Sequence, residues 1–523
     1  MKNSKPIPKR PATFHDGQIA LPSFRCRFLA PVTFDLNDAA PSGWEVEYLD
    51  EGASRLEFYD TYVWSLWFKK VVLCRKEGHW VLDCDGDLFE ESGHPAHVKF
   101  PCEFAAGLLR DRLVDLIDPR ALRKTASVRV VRQVWNFRNP EGKIVVRFTA
   151  LRISATKPPR DGALMLEIQP LRGYGVEAAE MANQIESLGF VPTERRLVDE
   201  AYKLCDVQPM PYLLKPVLTT LGTGSAREAM LEVLSKMLVI ARQNEAGIIN
   251  DHDTEFLHDF RVCLRKMRSI LGIIKGVFPG NLASNWKKSL GDICRKTNKL
   301  RDLDVHLLSR ERLEQTLPPA LRAGLAPFFE DLNKLRLVEA VRVSAYFRSS
   351  GYRRSVEGLE TTWNTPVSIS PAEESLVPIQ LAAGRRVGMR FKKISKLSRL
   401  IDELTPDAFL HEVRIECKKL RYLLDCFGHL FDSDGKALLV RQLSKLQNRL
   451  GRFNDTSVQQ ITLLDLAEEP IQSGKAKLTL SLGALIGSLH HEHGAMRSQV
   501  ISALREFCSP ENARLAESLS NKD

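Results

Sequence analysis

The hydrophobic pattern of the chain changes its period near residue 220. Between about residues 20 and 170, short runs of β-branched and aromatic residues alternate with turns rich in Gly, Pro, Asn and Asp, which predicts strands. After a stretch rich in Pro, Gly and Thr at 206–226, apolar residues recur with the helical period of 3.6. The pattern predicts a multi-domain chain: an N-terminal α+β half built on an antiparallel β-sheet or β-barrel, then an all-α helical bundle.

The individual runs place the elements and the domain boundaries. Helices are predicted near 103–117 and 176–190, and strands at 23–29, 55–61, 70–76, 79–86, 127–143 and 144–153. The segments predicted from these runs are a disordered basic tail at 1–18, an α+β domain at 19–200, a linker at 201–224, a helical domain at 225–515 and a frayed end at 516–523.

Composition indicates a soluble globular class of protein. A chain of 523 residues is too long for one ordinary core, which predicts two or three domains. No run approaches the roughly 18 apolar residues that span a bilayer, and the basic N-terminus lacks the apolar stretch of a signal peptide. The ten cysteines occur singly, without a CxxC pair, which favours free thiols in a reducing compartment. We therefore expect a cytoplasmic protein without membrane contact.

The positive charge is concentrated in the helical half. Residues 1–220 hold 30 Lys and Arg against 29 Asp and Glu, a net charge of +1. Residues 221–523 hold 45 against 36, which supplies the other +9 of the total of +10. This asymmetry favours a polyanionic partner for the C-terminal half.

One basic segment of the helical half occurs twice in the sequence. "EFLHDFRVCLRKMRS" at 255–269 returns as "AFLHEVRIECKKLRY" at 408–422, and adding 153 to a position in the first segment gives its partner in the second. The same offset, without a gap, relates Phe278 to Phe431, Asp302 to Asp455 and Val305 to Val458. The helical domain is therefore predicted to be an internal duplication, with repeats at about 225–370 and 378–515.

Helical geometry separates a basic face from an apolar face in both copies. At about 100° per residue, positions 258, 261, 265 and 268 fall within roughly 80° of arc, and the apolar residues occupy the other side. The basic stripe lacks the i+4 carboxylates that normally neutralise a solvated face. A solvated surface is the ordinary explanation of one such helix, but two matched copies suit an extended chain of phosphates, because each arginine fork can bind two oxygens.

The histidines of the duplicated segments have three open roles. His258 and His411 could donate to a phosphate oxygen, make a structural hydrogen bond, or join a metal or catalytic site. A metal site needs three or four convergent ligands, which spacing alone does not supply. The segment "HHEH" at 490–493 is interpreted as a solvated helix end rather than a metal site.

The duplicated segments, together with "NKLRDLDVHL" and "LSKLQNRLGRFND", resemble the CHAD domain, the conserved histidine α-helical domain, over roughly 225–515. The resemblance implies binding of inorganic polyphosphate through the basic helical faces. The positions that match the family pattern are His258, Arg261, Arg265, Lys266, Arg268, His411, Arg414, Lys418, Lys419 and Arg421, with Lys299, Arg301 and Arg452 as weaker additions.

The N-terminal half resembles a degenerate CYTH domain, the triphosphate tunnel fold, through "FYDT", "LCRKEGHWVLD", "NPEGKIVVRF" and "PLRGYG". Active relatives open their first strand with ExExK, whose carboxylates hold a divalent metal. Here Ser23, Arg25 and Arg27 occupy those positions, and the late strand "LEIQP" keeps only Glu167. The resemblance therefore implies a tunnel domain that has lost hydrolysis. Its candidate phosphate contacts are Arg25, Arg27, Arg75, Lys76, Arg132, Lys143 and Arg147.

The sequence thus favours a non-enzymatic protein that binds inorganic polyphosphate, with a location on polyphosphate granules and no cofactor. The alternative enzyme is a Mg²⁺- or Mn²⁺-dependent triphosphatase or polyphosphatase that uses Glu45 and Glu47 of "WEVEY" as relocated metal ligands. A nucleic-acid-binding protein is disfavoured because the basic faces carry few aromatic residues apart from Tyr422. A scaffold that binds an acidic protein is the remaining alternative.

Overall fold

The structure is a computed structural model that describes residues 26–30, 40–84, 86–95, 97–156, 159–219, 222–365, 372–431 and 433–520. It divides into two compact units, residues 1–212 and 213–523. None of the helices in the described ranges combines the length and the apolarity that crossing a bilayer requires. The predicted tail at 1–18 and the candidate residues Ser23 and Arg25 lie outside the described residues.

The N-terminal unit is built on one antiparallel sheet. Its described residues form nine strands in the spatial order β5-β4-β3-β2-β6-β7-β8-β1-β9. Each neighbouring pair is antiparallel. The strands are β1 (Cys26–Ala30), β2 (Glu45–Thr61), β3 (Val71–Lys76), β4 (His79–Cys84), β5 (Asp87–Glu91), β6 (Leu122–Arg138), β7 (Ile144–Thr156), β8 (Pro159–Pro170) and β9 (Val191–Pro192).

The sheet is open rather than closed into a barrel. Within the described ranges, β5 and β9 form its two ends and do not pair with each other. The antiparallel sheet is therefore confirmed, and the described strands do not close the predicted tunnel. Four helices accompany the sheet: α1 (Ser65–Phe68), α2 (Leu108–Ile117), α3 (Gly175–Ser187) and α4 (Leu197–Leu204).

Strand alternation gives the sheet two apolar faces, each packed against a helix. Phe148 and Leu166 are fully buried with Met181 and Ile185 of α3. On the opposite face of the sheet, apolar residues of β2, β6 and β7 pack against Ala201 of α4. A third cluster, around Trp80, packs β3 and β4 against α2. These three cores hold α2, α3 and α4 against the sheet that carries the candidate anion-binding residues of this unit.

The C-terminal unit is built from helices joined by short connections within its described ranges. Its helices are α5 (Ala226–Arg242), α6 (Glu245–Ile249), α7 (Thr254–Ile273), α8 (Gly280–Lys296), α9 (Asn298–Leu308), α10 (Arg310–Gln315), α11 (Pro319–Arg322), α12 (Ala326–Arg348), α13 (Ser350–Asn364), α14 (Ile379–Ser398), α15 (Asp407–Phe427), α16 (Ser433–Gln472), α17 (Ala476–Phe507) and α18 (Pro510–Ser520).

The duplication is visible in where helices begin. Helices α5, α7 and α8 start at residues 226, 254 and 280, and helices α14, α15 and α16 start at 379, 407 and 433. Each pair differs by 153 residues, the offset found in the sequence. The two copies also pack alike, with α7 against α5 and α8, and α15 against α14 and α16. Helix α7 contacts α15, so the two duplicated basic helices are neighbours.

Candidate functional site

The two basic helices are positioned by their apolar faces. Asp253 caps α7 by accepting hydrogen bonds from the backbone N–H groups of Glu255 and Phe256 at 3.0 and 3.3 Å. The apolar residues predicted to pack are buried in both copies, at most 4% exposed. They are Leu257, Phe260, Leu264, Met267 and Leu271 in α7, and Leu410, Val413, Cys417, Leu420 and Leu424 in α15.

Three cations from the two repeats converge where α7 meets α15. Arg265 of α7 lies close enough to Arg414 and Lys418 of α15 for like-charge repulsion to affect the pKa of both. The Nε atoms of Arg265 and Arg414 are buried and have no hydrogen-bond partner within the described part of the chain. Asp455, 3.6 Å from Arg414, is the carboxylate that offsets this charge. We call Arg265, Arg414 and Lys418 the inter-repeat cluster.

Lys418 shows how strongly the inter-repeat cluster concentrates positive charge. Burial, with repulsion from Arg414 and Arg265 added to it, lowers the pKa of Lys418 to about 8. Burial also lowers the pKa of Arg414, against the attraction of Asp455. Desolvated cations with unsatisfied donors form a site that an anion would stabilise, because an anion supplies both the missing charge and the missing acceptors.

Two further arginines of the first repeat border the inter-repeat cluster. Arg261 donates to the backbone carbonyl of Cys294 at 2.8 Å and to the side chains of Thr297 and Asn298 at 2.7 and 2.9 Å. Arg301 lies 3.8 Å from Glu255 and donates to a backbone carbonyl at 3.5 Å. Burial is the largest cause of the lowered pKa of both arginines, and Arg265 repels both. Arg261 thus ties α7 to the α8–α9 junction through its Nη1 group.

Several predicted contacts are instead occupied by internal ion pairs. Lys266 lies 3.2 Å from Asp425, and Arg421 donates to the same carboxylate at 2.8 Å. Asp425 is the i+4 neighbour of Arg421, so the expectation that the stripe lacks such carboxylates is wrong at this position. Because Lys266 is on α7 and the other two residues are on α15, this ion pair ties the repeats together.

Lys419 also belongs to a buried ion-pair network. It donates to Glu416 at 2.8 Å, and the same carboxylate accepts from Arg390 at 2.8 Å and Lys393 at 3.1 Å of α14. Burial alone would raise the pKa of Glu416, but the hydrogen bonds from Lys419, Arg390 and Lys393 outweigh it and lower that pKa. This network holds α15 against α14 and leaves Lys419 committed to it.

We expect Glu416→Gln to destabilise the helical unit by about 3 kcal/mol, because removing one partner leaves buried cations uncompensated. The measurement is urea unfolding followed by circular dichroism. Glu412→Gln is the matched control on the same helix: Glu412 is half-exposed, and within the described ranges its one ion pair is with Lys393, at 3.0 Å. Its expected effect is within about 0.5 kcal/mol. Equal losses in both variants would contradict a structural role for Glu416.

The two histidines have different surroundings in the two repeats. His411 Nδ1 lies 2.7 Å from Asn454 Oδ1, a structural hydrogen bond to α16. His258 lies beside Glu255 and Asp259, and one ligand atom from each of the three residues falls within 4.8 Å of the others. In the second repeat Ala408 replaces the first carboxylate. The convergence that a metal site requires is therefore present in one copy, with Arg301 beside it.

The remaining predicted contacts lie around the periphery. Arg268 is exposed and packs over Gly291. Lys299 lies 3.1 Å from Glu339, and Arg452 lies 3.5 Å from Glu492. In the described part of the chain, neither the ion pairs of Lys299 and Arg452 nor the packing of Arg268 involves a residue of the inter-repeat cluster.

The segment "HHEH" is not at a helix end. It lies within α17, where the ring of His493 stacks on Phe453 with 4.1 Å between centroids. The Nε2 atom of His493 is 3.2 Å from a carboxylate oxygen of Asp407. The segment therefore fastens α17 to the start of α15, and the interpretation as a solvated helix end is wrong.

Sequence reasoning missed a second basic stripe, on α16. Arg441, Lys445 and Arg449 are exposed, with spacing that places them on one face of the helix with Arg452. Lys288 and Lys296 of α8 are the 153-residue counterparts of Arg441 and Arg449. The repeat offset was the signal that could have found Arg441 and Arg449, since it preserves the charge of both, whereas the counterpart of Lys445 is Asp292.

The candidate contacts of the N-terminal unit are mostly paired. Arg75 lies 3.6 Å from Glu57, Arg132 lies 3.9 Å from Asp50, and Lys143 lies 3.0 Å from Glu141. Lys76 is exposed at the end of β3, opposite Leu56 of β2. These cations show no convergence on one point of the sheet.

Arg27 and Arg147 share the face of the sheet that lines an open cleft. Arg27 and Glu167 line this cleft of about 1070 Å³ and form an ion pair of 2.9 Å between β1 and β8. Arg147 lies two residues along β7 from Thr149, the cross-strand partner of Glu167, and its Nε atom is buried without a partner within the described ranges. The alternative metal ligand Glu47 accepts a hydrogen bond from Arg138 at 2.8 Å.

Comparison with known proteins identifies the helical unit. Residues 232–464 match the CHAD domain family, so the chain contains a CHAD domain there. A crystal structure of the CHAD domain from the plant Ricinus communis is similar with a TM-score of 0.47 and 22% identity, over 57% of this chain and 97% of that chain. PptA from Streptomyces chartreusis has a TM-score of 0.39 and 17% identity, over 54% of this chain and 99% of that chain. Comparison with the curated proteins found no match.

Proposed function

We propose that the CHAD domain binds inorganic polyphosphate and that the inter-repeat cluster is the centre of the binding site. The observation that carries this proposal is the convergence of Arg265 with Arg414 and Lys418 from the other repeat. In this proposal the two copies of the basic helix, α7 and α15, are both retained because one polyanion contacts both of them. A cytoplasmic location, on polyphosphate granules, is part of the same proposal.

The local charge and hydrogen-bonding capacity support a phosphate ligand. The buried Nε atoms of Arg265 and Arg414 are donors that phosphate oxygens can satisfy, and each guanidinium can bind two oxygens. Lys418 adds a third positive charge, and a bound phosphate would stabilise the protonated form of this lysine. A carboxylate partner would meet the same donors, but a single carboxylate would neutralise only one of three cations.

A chain of phosphates fits better than an isolated phosphate ion. Beyond the inter-repeat cluster lie the exposed cations Arg268 on α7 and Arg441, Lys445 and Arg449 on α16. These cations extend the basic surface past the cluster, so a longer polyanion gains contacts that a short one lacks. A nucleic acid would gain the same charge contacts, but Tyr422 is the aromatic residue of the two basic stripes on which a base could stack.

The proposal is tested by titrating the purified protein with labelled long-chain polyphosphate across a salt series. We expect the logarithm of the association constant to fall linearly with the logarithm of salt concentration, because each neutralised phosphate releases counterions. Single-stranded RNA of equal charge is the competitor. When concentrations are expressed as moles of phosphate groups, less polyphosphate should be needed to displace RNA than RNA to displace polyphosphate. Absence of polyphosphate binding at any salt concentration, or preference for RNA, would contradict the proposal.

For the N-terminal unit we propose a non-catalytic role. The carboxylate of Glu167 accepts from Arg27, and that of Glu47 accepts from Arg138, so two of the three candidate metal ligands are each paired with an arginine. A divalent cation would have to displace these arginines before binding. The resemblance to a CYTH domain remains a prediction, and with it the binding of anions on the face of the sheet that carries Arg27 and Arg147.

A further inference from the structure

A second basic cleft lies in the C-terminal unit, on the side of α14 that faces away from α15. It is formed by the last turns of α14, the end of α17 and the start of α18, and it has a volume of about 680 Å³. Arg390 and Lys393 of α14 face the Glu416 network of α15. The residues of α14 that line the cleft centre on the opposite side of the helix, about half a turn from them. The cleft is therefore separate from the inter-repeat cluster.

Four cations surround the cleft. Lys392, Lys396 and Arg399 follow one face of α14 at i, i+4 and i+7, and Arg505 joins them from α17. Within the described ranges none of the four side chains makes an ion pair or a hydrogen bond. Glu517 of α18 is the single acidic residue of the lining. Four like charges around one concavity raise the local potential for an anion.

The first repeat has no cations at the matching positions of α5, the counterpart of α14, and of the residues that follow it. The 153-residue counterparts of Lys392, Lys396 and Arg399 are Val239, Gln243 and Ala246. The cations are therefore a feature of the second repeat alone, and the fold shared by the two repeats does not require them.

Two serines explain why the second repeat has room for a ligand. Ser395 and Ser398 stand at the counterparts of Arg242 and Glu245 of the first repeat. There Arg242 lies 2.5 Å from Glu360, and Tyr352 donates to Glu245 at 2.8 Å. Long, mutually paired side chains thus fill the first repeat at this place. Short hydroxyl side chains leave the corresponding volume of the second repeat open, and both hydroxyls interact with the thiol of Cys508, which also lines the cleft.

The floor of the cleft is apolar and rigid. Phe391 and Ile401 are each 4% exposed, and Ala516 of α18 is 1% exposed. Helix α18 lies tightly against α14, since a Cβ atom on Gly384 would come within 2.6 Å of the backbone carbonyl of Leu519. A ligand seated here would meet apolar surface below and cations at the rim, the combination typical of small-molecule sites.

We propose that this cleft binds a small anionic molecule that carries both phosphates and an apolar ring, the chemistry of a nucleoside polyphosphate. The phosphates would contact Lys396, Arg399 and Arg505, and the ring would lie on Phe391 and Ile401. Bare polyphosphate lacks the apolar part that the floor of the cleft favours. The proposal is independent of the function proposed for the inter-repeat cluster.

The test is isothermal titration of the full-length protein with ATP and, separately, with inorganic triphosphate. We expect ATP to bind at one site per chain and more tightly than triphosphate. Lys396→Gln/Arg399→Gln should weaken ATP binding by about tenfold or more, because two charge-assisted contacts are lost. Both side chains are exposed, so folding is not at risk. Arg353→Gln/Arg354→Gln on α13 removes the same charge from another exposed surface and should leave ATP binding unchanged.

A second control separates the two basic sites. Arg265→Ala/Arg414→Ala removes the inter-repeat cluster, so the ATP binding that remains in this variant belongs to the cleft, and adding Lys396→Gln/Arg399→Gln should weaken it by the same factor as in the wild-type protein. Three results would overturn the proposal: no ATP binding, equal affinity for triphosphate and ATP, or equal weakening by the α13 variant. Loss of ATP binding in the inter-repeat variant would also overturn it, because ATP would then occupy the polyphosphate site.

Discussion

Replacing Arg265 and Arg414 together by alanine is expected to weaken the binding of long-chain polyphosphate by about two to three orders of magnitude. Each guanidinium is expected to make charge-assisted hydrogen bonds of about 1.5–3 kcal/mol to the ligand. Both Nε atoms are buried and lack partners within the described part of the chain, so these donors are unsatisfied in the absence of a ligand. Fluorescence anisotropy with labelled polyphosphate at fixed salt concentration measures the change.

The control for this variant must separate local contacts from total charge. Arg353→Ala/Arg354→Ala removes two exposed arginines of α13 and changes the net charge equally. We expect it to change the dissociation constant by less than about threefold. Thermal unfolding of each variant checks that the helices remain folded. A loss shared equally by the two variants would mean that binding responds to net charge, and the inter-repeat cluster would not be the site.

Polyphosphate affinity is expected to fall by about tenfold between pH 7 and pH 9. Burial and the repulsion of Arg414 and Arg265 lower the pKa of Lys418 to about 8. The lysine is therefore charged at pH 7 and mostly neutral at pH 9 in the free protein. A bound phosphate restores the ordinary pKa, so binding above pH 8 takes up a proton and weakens as pH rises. Affinity measured at constant ionic strength across this range tests the expectation.

Lys418→Arg is the matched variant for the pH dependence, since a guanidinium stays protonated throughout this range. We expect it to bind polyphosphate at pH 9 nearly as well as at pH 7. The same linkage predicts that the free wild-type protein becomes more stable as pH rises from about 8 towards the ordinary lysine pKa, because the unfolded chain binds the extra proton there. A wild-type affinity that is flat from pH 7 to pH 9 would remove Lys418 from the site.

The sequence predicted the elements of the site because the duplication constrains them. The offset of 153 holds for the starts of α5, α7 and α8 against those of α14, α15 and α16. The apolar faces of α7 and α15 are buried where the helical period placed them. The helical period of the apolar residues and the 153-residue repeat can both be read from the sequence, and both are found again in the folded structure. The antiparallel sheet was predicted for the same reason, from the alternation of its strands.

The partners of individual cations could not be predicted in this way. Lys266 and Lys419 lie next to the inter-repeat cluster in sequence, yet they pair with Asp425 and Glu416. Which cation meets a carboxylate depends on the crossing of α7, α14 and α15, and this crossing is set by packing between distant segments. Likewise, Ser395 and Ser398 are inconspicuous in the sequence. Their importance becomes visible only when they are compared with Arg242 and Glu245, their counterparts in the first repeat.

The most direct measurement is a calorimetric titration with a short polyphosphate of about ten phosphates, combined with the single and double alanine variants of Arg265 and Arg414. A shared site predicts one bound chain per protein molecule. It also predicts that the losses caused by the two substitutions are coupled, because both arginines contact the same ligand. Two bound chains per molecule, each weakened by only one of the substitutions, would contradict the account and assign each repeat a binding site of its own.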